Sequence, residues 1–298
     1  MTLAILSGKG GTGKTTVAAS LAVALEQAQY VDCDVEEPNG ALLLSPRIAF
    51  SEPVEVLVPT VDPVRCNGCG SCATACRYHA IAVVRRKPIL FPTICHHCGA
   101  CRIACPTRAI SEIPRRIGVV EGDAEGRFLQ GRMDIGEPIP IPILRELKRR
   151  MARDRTVLLD CPPGASCAVV QSISDVDACL LVTEPTPFGL HDLAIAVGLV
   201  RKMGIPFAVV VNKAIEGETE LAAYCRKEGI PILLEIPYSR AIAERYSRGL
   251  LPVHGDEAWI GRFRTLYDDL QKQVLQDGDA ALRTAPKPVS AVPGRAEV

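Results

Sequence analysis

The sequence predicts an α/β protein: a mostly parallel sheet with helices on both faces, into which a smaller α+β module is inserted. Three observations predict it. A strand, a glycine-rich loop and a helix open the chain at residues 2–27, and strands and helices alternate regularly from about residue 141 to residue 236. Between these stretches, eight of the thirteen cysteines crowd into residues 66–105.

Thr2-Leu-Ala-Ile-Leu6 reads as a buried strand, and residues 14–27 as a helix of good formers. A second strand ends at Tyr30-Val-Asp-Cys-Asp34. Prolines, β-branched residues and then cysteines follow, with no long helical pattern until about Ile141. From there the spacing predicts a helix over 141–152, a strand from Thr156 to Asp160, a helix over 166–174 and a strand from Ala178 to Thr183. A helix over 190–203, a strand from Phe207 to Val211, a helix over 218–228 and a strand from Ile232 to Ile236 complete the alternation. In the stretch 259–275, Trp259, Ile260, Phe263, Leu266, Tyr267, Leu270 and Val274 fall at helical spacing. Its polar face carries Asp268 and Asp269 beside basic residues, as expected of a last helix packed on the core rather than one lying on a membrane. Residues 276–298 lack periodicity and read as a disordered tail.

At 298 residues, 48% apolar, the chain can bury one sizeable core plus a small module. Lys and Arg total 34, as do Asp and Glu, so no global charge draws it to nucleic acid. No apolar run approaches the roughly 18 residues of a membrane span, and no secretory signal is legible. The expected compartment is the cytoplasm. Thiols stay reduced there, so clustered cysteines point to metal rather than disulfides.

Gly8-Lys-Gly-Gly-Thr-Gly-Lys-Thr15 matches Gly-x-x-x-x-Gly-Lys-Ser/Thr in its required place, after a strand and opening a helix. Gly8, Gly10, Gly11, Thr12 and Gly13 let backbone N–H groups turn around a β-phosphate. Lys14 reaches the β/γ oxygens, Thr15 can ligate Mg2+, and Thr16 follows in the first helical turn. Asp32 and Asp34 stand two apart, so the pleat points both the same way at the strand's end. Leu158-Leu-Asp-Cys-Pro-Pro-Gly164 likewise ends a strand with an acid, Asp160, before a stiff turn. An Asn-Lys-x-Asp guanine reader would need an aspartate at 215, where Ile215 stands; this argues against GTP. Cys161 and Cys167 read as small buried hydrophobes.

Lys-Gly-Gly-x-Gly-Lys-Thr, with Lys9 as its first lysine, resembles the signature of the MinD, ParA and nitrogenase iron protein superfamily of deviant Walker A, P-loop NTPases. Alone, Lys9 is equally compatible with a solvated loop lysine. The resemblance implies that it crosses a two-fold axis to a partner's nucleotide, hence an ATP-dependent homodimer. It also implies that Asp34 activates the attacking water and that Asp32 and Asp160 serve the magnesium shell. Gly164 would sense the γ-phosphate, Asn212 would meet adenine, and the Pro237 turn would close the base pocket.

Cys66-x-x-Cys69-x-x-Cys72-x-x-x-Cys76 recurs 29 residues on as Cys95-x-x-Cys98-x-x-Cys101-x-x-x-Cys105, and Ala80-Ile81 maps onto Ala109-Ile110 at the same offset. This duplication resembles bacterial ferredoxins with two 4Fe-4S clusters, in which the fourth cysteine of each run crosses to the other cluster. By that pattern Cys66, Cys69, Cys72 and Cys105 hold one cluster, and Cys95, Cys98, Cys101 and Cys76 the other. Structural zinc sites bring separated cysteine pairs instead. Arg77 stands where a proline often follows the run.

From residue 2 to 275 the order of parts, with Gly126-Arg-Phe, Gly131 to Gly136 and Leu181 to Asp192, is similar to MinD-superfamily ATPases with an inserted ferredoxin domain. The division expected is 1–59 and 117–275 for the ATPase and 60–116 for the ferredoxin. The first functional reading is an ATPase that couples nucleotide state to electron transfer, with a redox protein as partner. A metallocofactor assembly ATPase serving an assembly factor, and a positioning protein with a redox-sensing insert, are the alternatives.

Overall fold

The computed structural model describes residues 1–217 and 220–275; the tail expected over 276–298, and the first two residues of the helix expected at 218, lie outside them. The chain opens with β1 (Thr2–Leu6), α1 (Lys14–Ala24), β2 (Gln29–Asp32), α2 (Gly40–Leu44) and β3 (Ile48–Val61). The cysteine-rich part holds α3 (Ser71–Ala75), the hairpin β4 (Ile81–Val84) and β5 (Lys87–Leu90), and α4 (Ala100–Ile103). Then come β6 (Ile110–Asp123), β7 (Phe128–Met133), α5 (Ile141–Arg150), β8 (Val157–Asp160), α6 (Cys167–Ile173) and β9 (Ala178–Thr183). The order closes with α7 (Pro187–Lys202), β10 (Phe207–Ala214), α8 (Glu220–Glu228), β11 (Ile232–Pro237), α9 (Arg240–Tyr246) and α10 (Glu257–Asp269).

Nine strands form one sheet in the order β11-β10-β9-β1-β8-β2-β7-β6-β3. It is parallel from β11 to β7, and β6 and β3 are antiparallel additions at one edge. Both faces are buried, so strand residues alternate between two cores. Leu3 and Ile5 of β1 pack with Val17 and Leu21 of α1 and with Phe263 and Leu266 of α10. Ala4 and Leu6 face Ile143 of α5, Val169 of α6, Leu193 of α7 and Leu221 of α8. The last helix therefore packs on the core as its spacing predicts, with Phe263, Leu266 and Leu270 buried. Asp256 caps it, accepting from the N–H groups of Ala258 and Trp259. Among the described residues no helix is long and apolar enough to cross a membrane.

Because six parallel strands end on one edge, β1, β2, β8, β9, β10 and β11 deliver Ser7, Asp32, Asp160, Thr183, Asn212 and Pro237 to the same side of the sheet. The module rises from that side. β6 pairs with β7 only from Gly118 to Gly122, while its ladder with β3 runs on to Val61↔Ile110. Beyond Val54 and Gly118 the two strands continue as a two-stranded ribbon whose base is still packed on the core through Val56, Val58 and Ile117. From Val54 to Val61 they extend about 23 Å, at 3.3–3.4 Å per residue. The junctions 59/60 and 116/117 both fall within these strands.

Candidate functional site

The loop after β1 has the shape a phosphate needs. Gly11 and Gly13 have φ of +79° and +92°, a region where side chains are strained, and a Cβ at Gly13 would collide with the Asn212 amide. The Asn212 Nδ2 donates to the Thr12 carbonyl at 2.8 Å, tying β10 to the loop. Thr12 Oγ1 is buried without a partner. Lys14 opens α1 with its ammonium turned inward, donating to Asp160 Oδ1 at 2.5 Å. Tyr30, on the neighbouring strand, donates to Asp160 Oδ2 at 2.8 Å. Asp32 accepts from the N–H groups of Gly40 at 2.9 Å and Asp34 at 3.1 Å, which folds the chain after β2 back over the strand end.

Three carboxylates, Asp32, Asp34 and Asp160, thus surround one ammonium. Burial alone would lower the Lys14 pKa, but Asp160 outweighs it and holds the ammonium above its ordinary range. Burial, reinforced by Asp160, pushes Asp32 up to about 8; burial also lifts Asp34 to about 6. An all-oxygen donor set with surplus negative charge suits a hard divalent cation, so the residues present fit Mg2+. Folded Asp32 keeps a proton that the unfolded chain releases near pH 4, so the metal-free protein should lose stability as pH rises from about 4 to about 8. Asp32→Asn removes this term. In nucleotide-free protein with chelator, its melting temperature relative to the parent should therefore rise by at least about 2 °C between pH 5 and pH 8. A pH-independent difference would contradict the charge surplus.

Two switch-like contacts flank the loop. Gly164 lies after β8 with φ +86° and donates its N–H to the Ser7 carbonyl at 2.9 Å. Lys9 pairs with Glu184 at 2.5 Å, and the same carboxylate receives Lys213 at 3.1 Å. Glu184, beyond β9, and Tyr30 were not among the sequence-derived candidates. Cys161 is buried in the core as expected, whereas Cys167 is exposed, because it starts α6 on the solvent side of the turn.

In the inserted module, Cys66, Cys69, Cys72 and Cys105 line one cavity, and Cys76, Cys95, Cys98 and Cys101 another. Each cavity draws three cysteines from one run and the fourth from the other. The arrangement is pseudo-symmetric: Cys76 Sγ accepts the Ala80 N–H at 3.3 Å, and Cys105 Sγ the Ala109 N–H at 3.2 Å. Among the described residues no three Cys, His, Asp or Glu side chains converge tightly enough for a single ion. Three closely spaced cysteines with a fourth from the other run are the donor set of a 4Fe-4S cluster, whereas structural zinc sites bring cysteines as separated pairs. In the second cavity His97 Nε2 is buried without a partner, while Tyr78 and His96 stack over it with ring centres 3.5 Å apart.

A brace joins the base of the ribbon to Val35, just beyond β2. The Val35 carbonyl accepts the Met133 N–H at 2.8 Å, and the Asp134 N–H donates to the Ile117 carbonyl at 2.9 Å. Arg116 bonds Asp134 at 2.9 Å, and Arg115 makes a two-pronged pair with Glu137, its Nη2 to Oε2 at 2.8 Å. Burial pushes the Cys95 thiol up, and the charge of Arg115 opposes this.

The glycine loop, its lysines and the acids at the sheet edge define a P-loop ATPase. The chain belongs to the CobQ/CobB/MinD/ParA nucleotide binding domain family, which matches residues 3–253. It is 33% identical over 221 residues to a protein of Methanocaldococcus jannaschii, covering 72% of this chain and 78% of that one. The iron-sulfur cluster carrier protein of Pyrococcus furiosus is 26% identical over 313 aligned positions, 93% of this chain and 88% of its own. In fold, the chain is similar to the septum site-determining protein MinD of Pyrococcus horikoshii complexed with Mg-ADP. The TM-score is 0.55 at 21% identity, covering 91% and 97% of the two chains.

Proposed function

We propose that this chain is an ATP-hydrolysing dimer that couples its nucleotide state to electron transfer through two 4Fe-4S clusters. The observation that carries the reading is the gathering of eight cysteines into two fours, on a ribbon braced to the residue after Asp34. When bound, the clusters would supply one-electron storage at potentials set by charge, exposure and N–H···S bonds. The relative from Pyrococcus furiosus, being called an iron-sulfur cluster carrier protein, supports iron-sulfur chemistry in this family. A cytoplasmic setting follows from the same thiolate chemistry.

At the ATP site, Lys14 would leave Asp160 for the β/γ oxygens, and Thr15 and Asp160 would take up Mg2+ with Asp32 behind them. Asp34, raised to about 6, would orient or deprotonate the water that attacks the γ-phosphorus. Gly164 would give up Ser7 for the γ-phosphate, and Lys9 would leave Glu184 for the nucleotide across the dimer axis. The Asn212 nitrogen already serves Thr12, so its carbonyl oxygen is the atom offered to the adenine amino group, next to the Pro237 turn.

The carrier relative favours a second reading, transfer of the clusters themselves, but four cysteines per cavity argue for resident groups. ATP turnover by anaerobic protein, measured oxidised and reduced, tests the coupling. We expect kcat to differ by at least about threefold, roughly 0.6 kcal/mol, with iron retained. Equal rates would refute coupling, and iron lost in step with ATP hydrolysis would favour the carrier reading.

A further inference from the structure

We propose that the end of the inserted module remote from the ATPase sheet, around the cavity of Cys66, Cys69, Cys72 and Cys105, is the docking surface for an acidic protein electron carrier. The proposal rests on the two-cluster reading above.

Charge is segregated along the chain. Between Asp62 and Glu112 seven basic residues stand against two acidic ones, although the whole chain balances at 34 each, so the remainder is net acidic. The two acids are already engaged, Asp62 with Arg65 at 3.5 Å and Glu112 with Arg102 at 2.8 Å. Arg77, Arg85, Arg86, Lys87 and Arg108 are exposed and have no carboxylate partner among the described residues.

Much of this charge is gathered at one cavity. Arg86 Nη2 donates to the Asn67 carbonyl at 2.9 Å, seating the tip of the β4–β5 hairpin, Arg85 to Lys87, on the loop between Cys66 and Cys69. Arg108 and Ile103 line an open groove beside Cys105, which runs along the ribbon past Ile110 to Leu57 and to Glu112, where Arg102 is paired. Ile103 is 81% exposed and Val64, just before Cys66, 92%. Exposed apolar residues amid arginines resemble the anchors of protein interfaces. No aromatic side chain lines the groove for bases to stack on, so a protein partner is favoured over single-stranded nucleic acid.

The other cavity is built differently. Tyr78 and His96 stack at it, and its ribbon residues, Leu57, Pro59 and Glu112, lie nearer the ATPase than Val61 and Ile110 of the first. The basic end is thus the outer port of a two-site relay whose inner site adjoins the Arg115–Glu137 brace. Opposite charge would steer a carrier to this port. One electron then leaves the carrier, which is oxidised, and reduces the outer cluster; no bond changes and no proton is required.

The test is binding of an acidic flavodoxin to anaerobic, iron-loaded protein. Lys87→Glu with Arg108→Glu should weaken the dissociation constant at least about tenfold, and Arg108→Gln alone by less. Salt raised from about 0.05 to about 0.5 M should weaken binding to the parent similarly. Iron content and the final extent of reduction by excess methyl viologen radical cation should be unchanged. Unaltered flavodoxin binding in iron-replete variants overturns the docking proposal and leaves the two-cluster reading standing. Tighter binding of an oligothymidylate than of flavodoxin overturns it in favour of nucleic acid. A parent protein without iron overturns both. Should the double variant lose iron, salt-insensitive binding by the parent is the overturning result.

Discussion

Lys14→Ala should abolish ATP binding, weakening it at least about 100-fold, whereas Lys9→Ala should leave binding within a few fold and lose hydrolysis and ATP-dependent dimerisation. The two lysines stand five residues apart on one loop but hold different partners. Lys14 sits buried against Asp160 at 2.5 Å. Lys9 is a third exposed and latched to Glu184, a contact that a neighbouring nucleotide can replace. Lys14→Ala also strands the buried Asp160 charge, so stability should fall too. Adding Asp160→Asn should restore much of that stability without restoring binding, which separates the two effects. Calorimetric titration with an ATP analogue and sedimentation measure both variants. Normal turnover by Lys9→Ala would contradict its reach across the dimer.

Cys76→Ala should empty the cavity of the other cysteine run. Cys76 follows Cys66, Cys69 and Cys72 in sequence, yet it lines the cavity of Cys95, Cys98 and Cys101. Loss of its sulfur leaves three ligands there and four in the first cavity. Iron should fall from about eight to about four per chain, and Cys105→Ala should produce the complementary loss. The paramagnetic spectra of the two reduced variants should then add to that of the parent. A Cys76→Ala protein whose surviving signal matches that of Cys69→Ala, from its own run, instead of that of Cys98→Ala would contradict crossed ligation.

Local pattern encodes much of this architecture. The glycine loop, the alternation from Ile141 onward and the cysteine runs each occupy a short window, and their spacing carries the structural meaning. The strands β3, β6 and β7 were not read. Val54, Val56 and Val58 do alternate, buried, with exposed Glu55 and Leu57, but Pro53, Pro59 and Pro114 break the pattern. A sheet edge and a two-stranded ribbon tolerate proline where an inner strand does not. The Tyr30–Asp160 bond spans 130 residues, and the Glu184 latch and Arg115–Glu137 brace also join distant or separately folded segments. No window of sequence holds both partners, so only the fold brings them together. The duplication of the cysteine runs was legible because it repeats, and repetition needs no tertiary information.

In the proposed coupling, the γ-phosphate and the inner metal site feel each other through Val35, Met133 and the Arg115–Glu137 brace. By reciprocity, any effect of reduction on nucleotide affinity must appear as an effect of nucleotide on potential. Redox titration of the anaerobic protein, with and without a non-hydrolysable ATP analogue and magnesium, reads this directly. We expect the midpoint of the site holding Cys95 to move by about 60 mV, a tenfold change in a one-electron equilibrium, while the outer site moves less. Two midpoints that stay fixed when nucleotide saturates the protein would contradict the account.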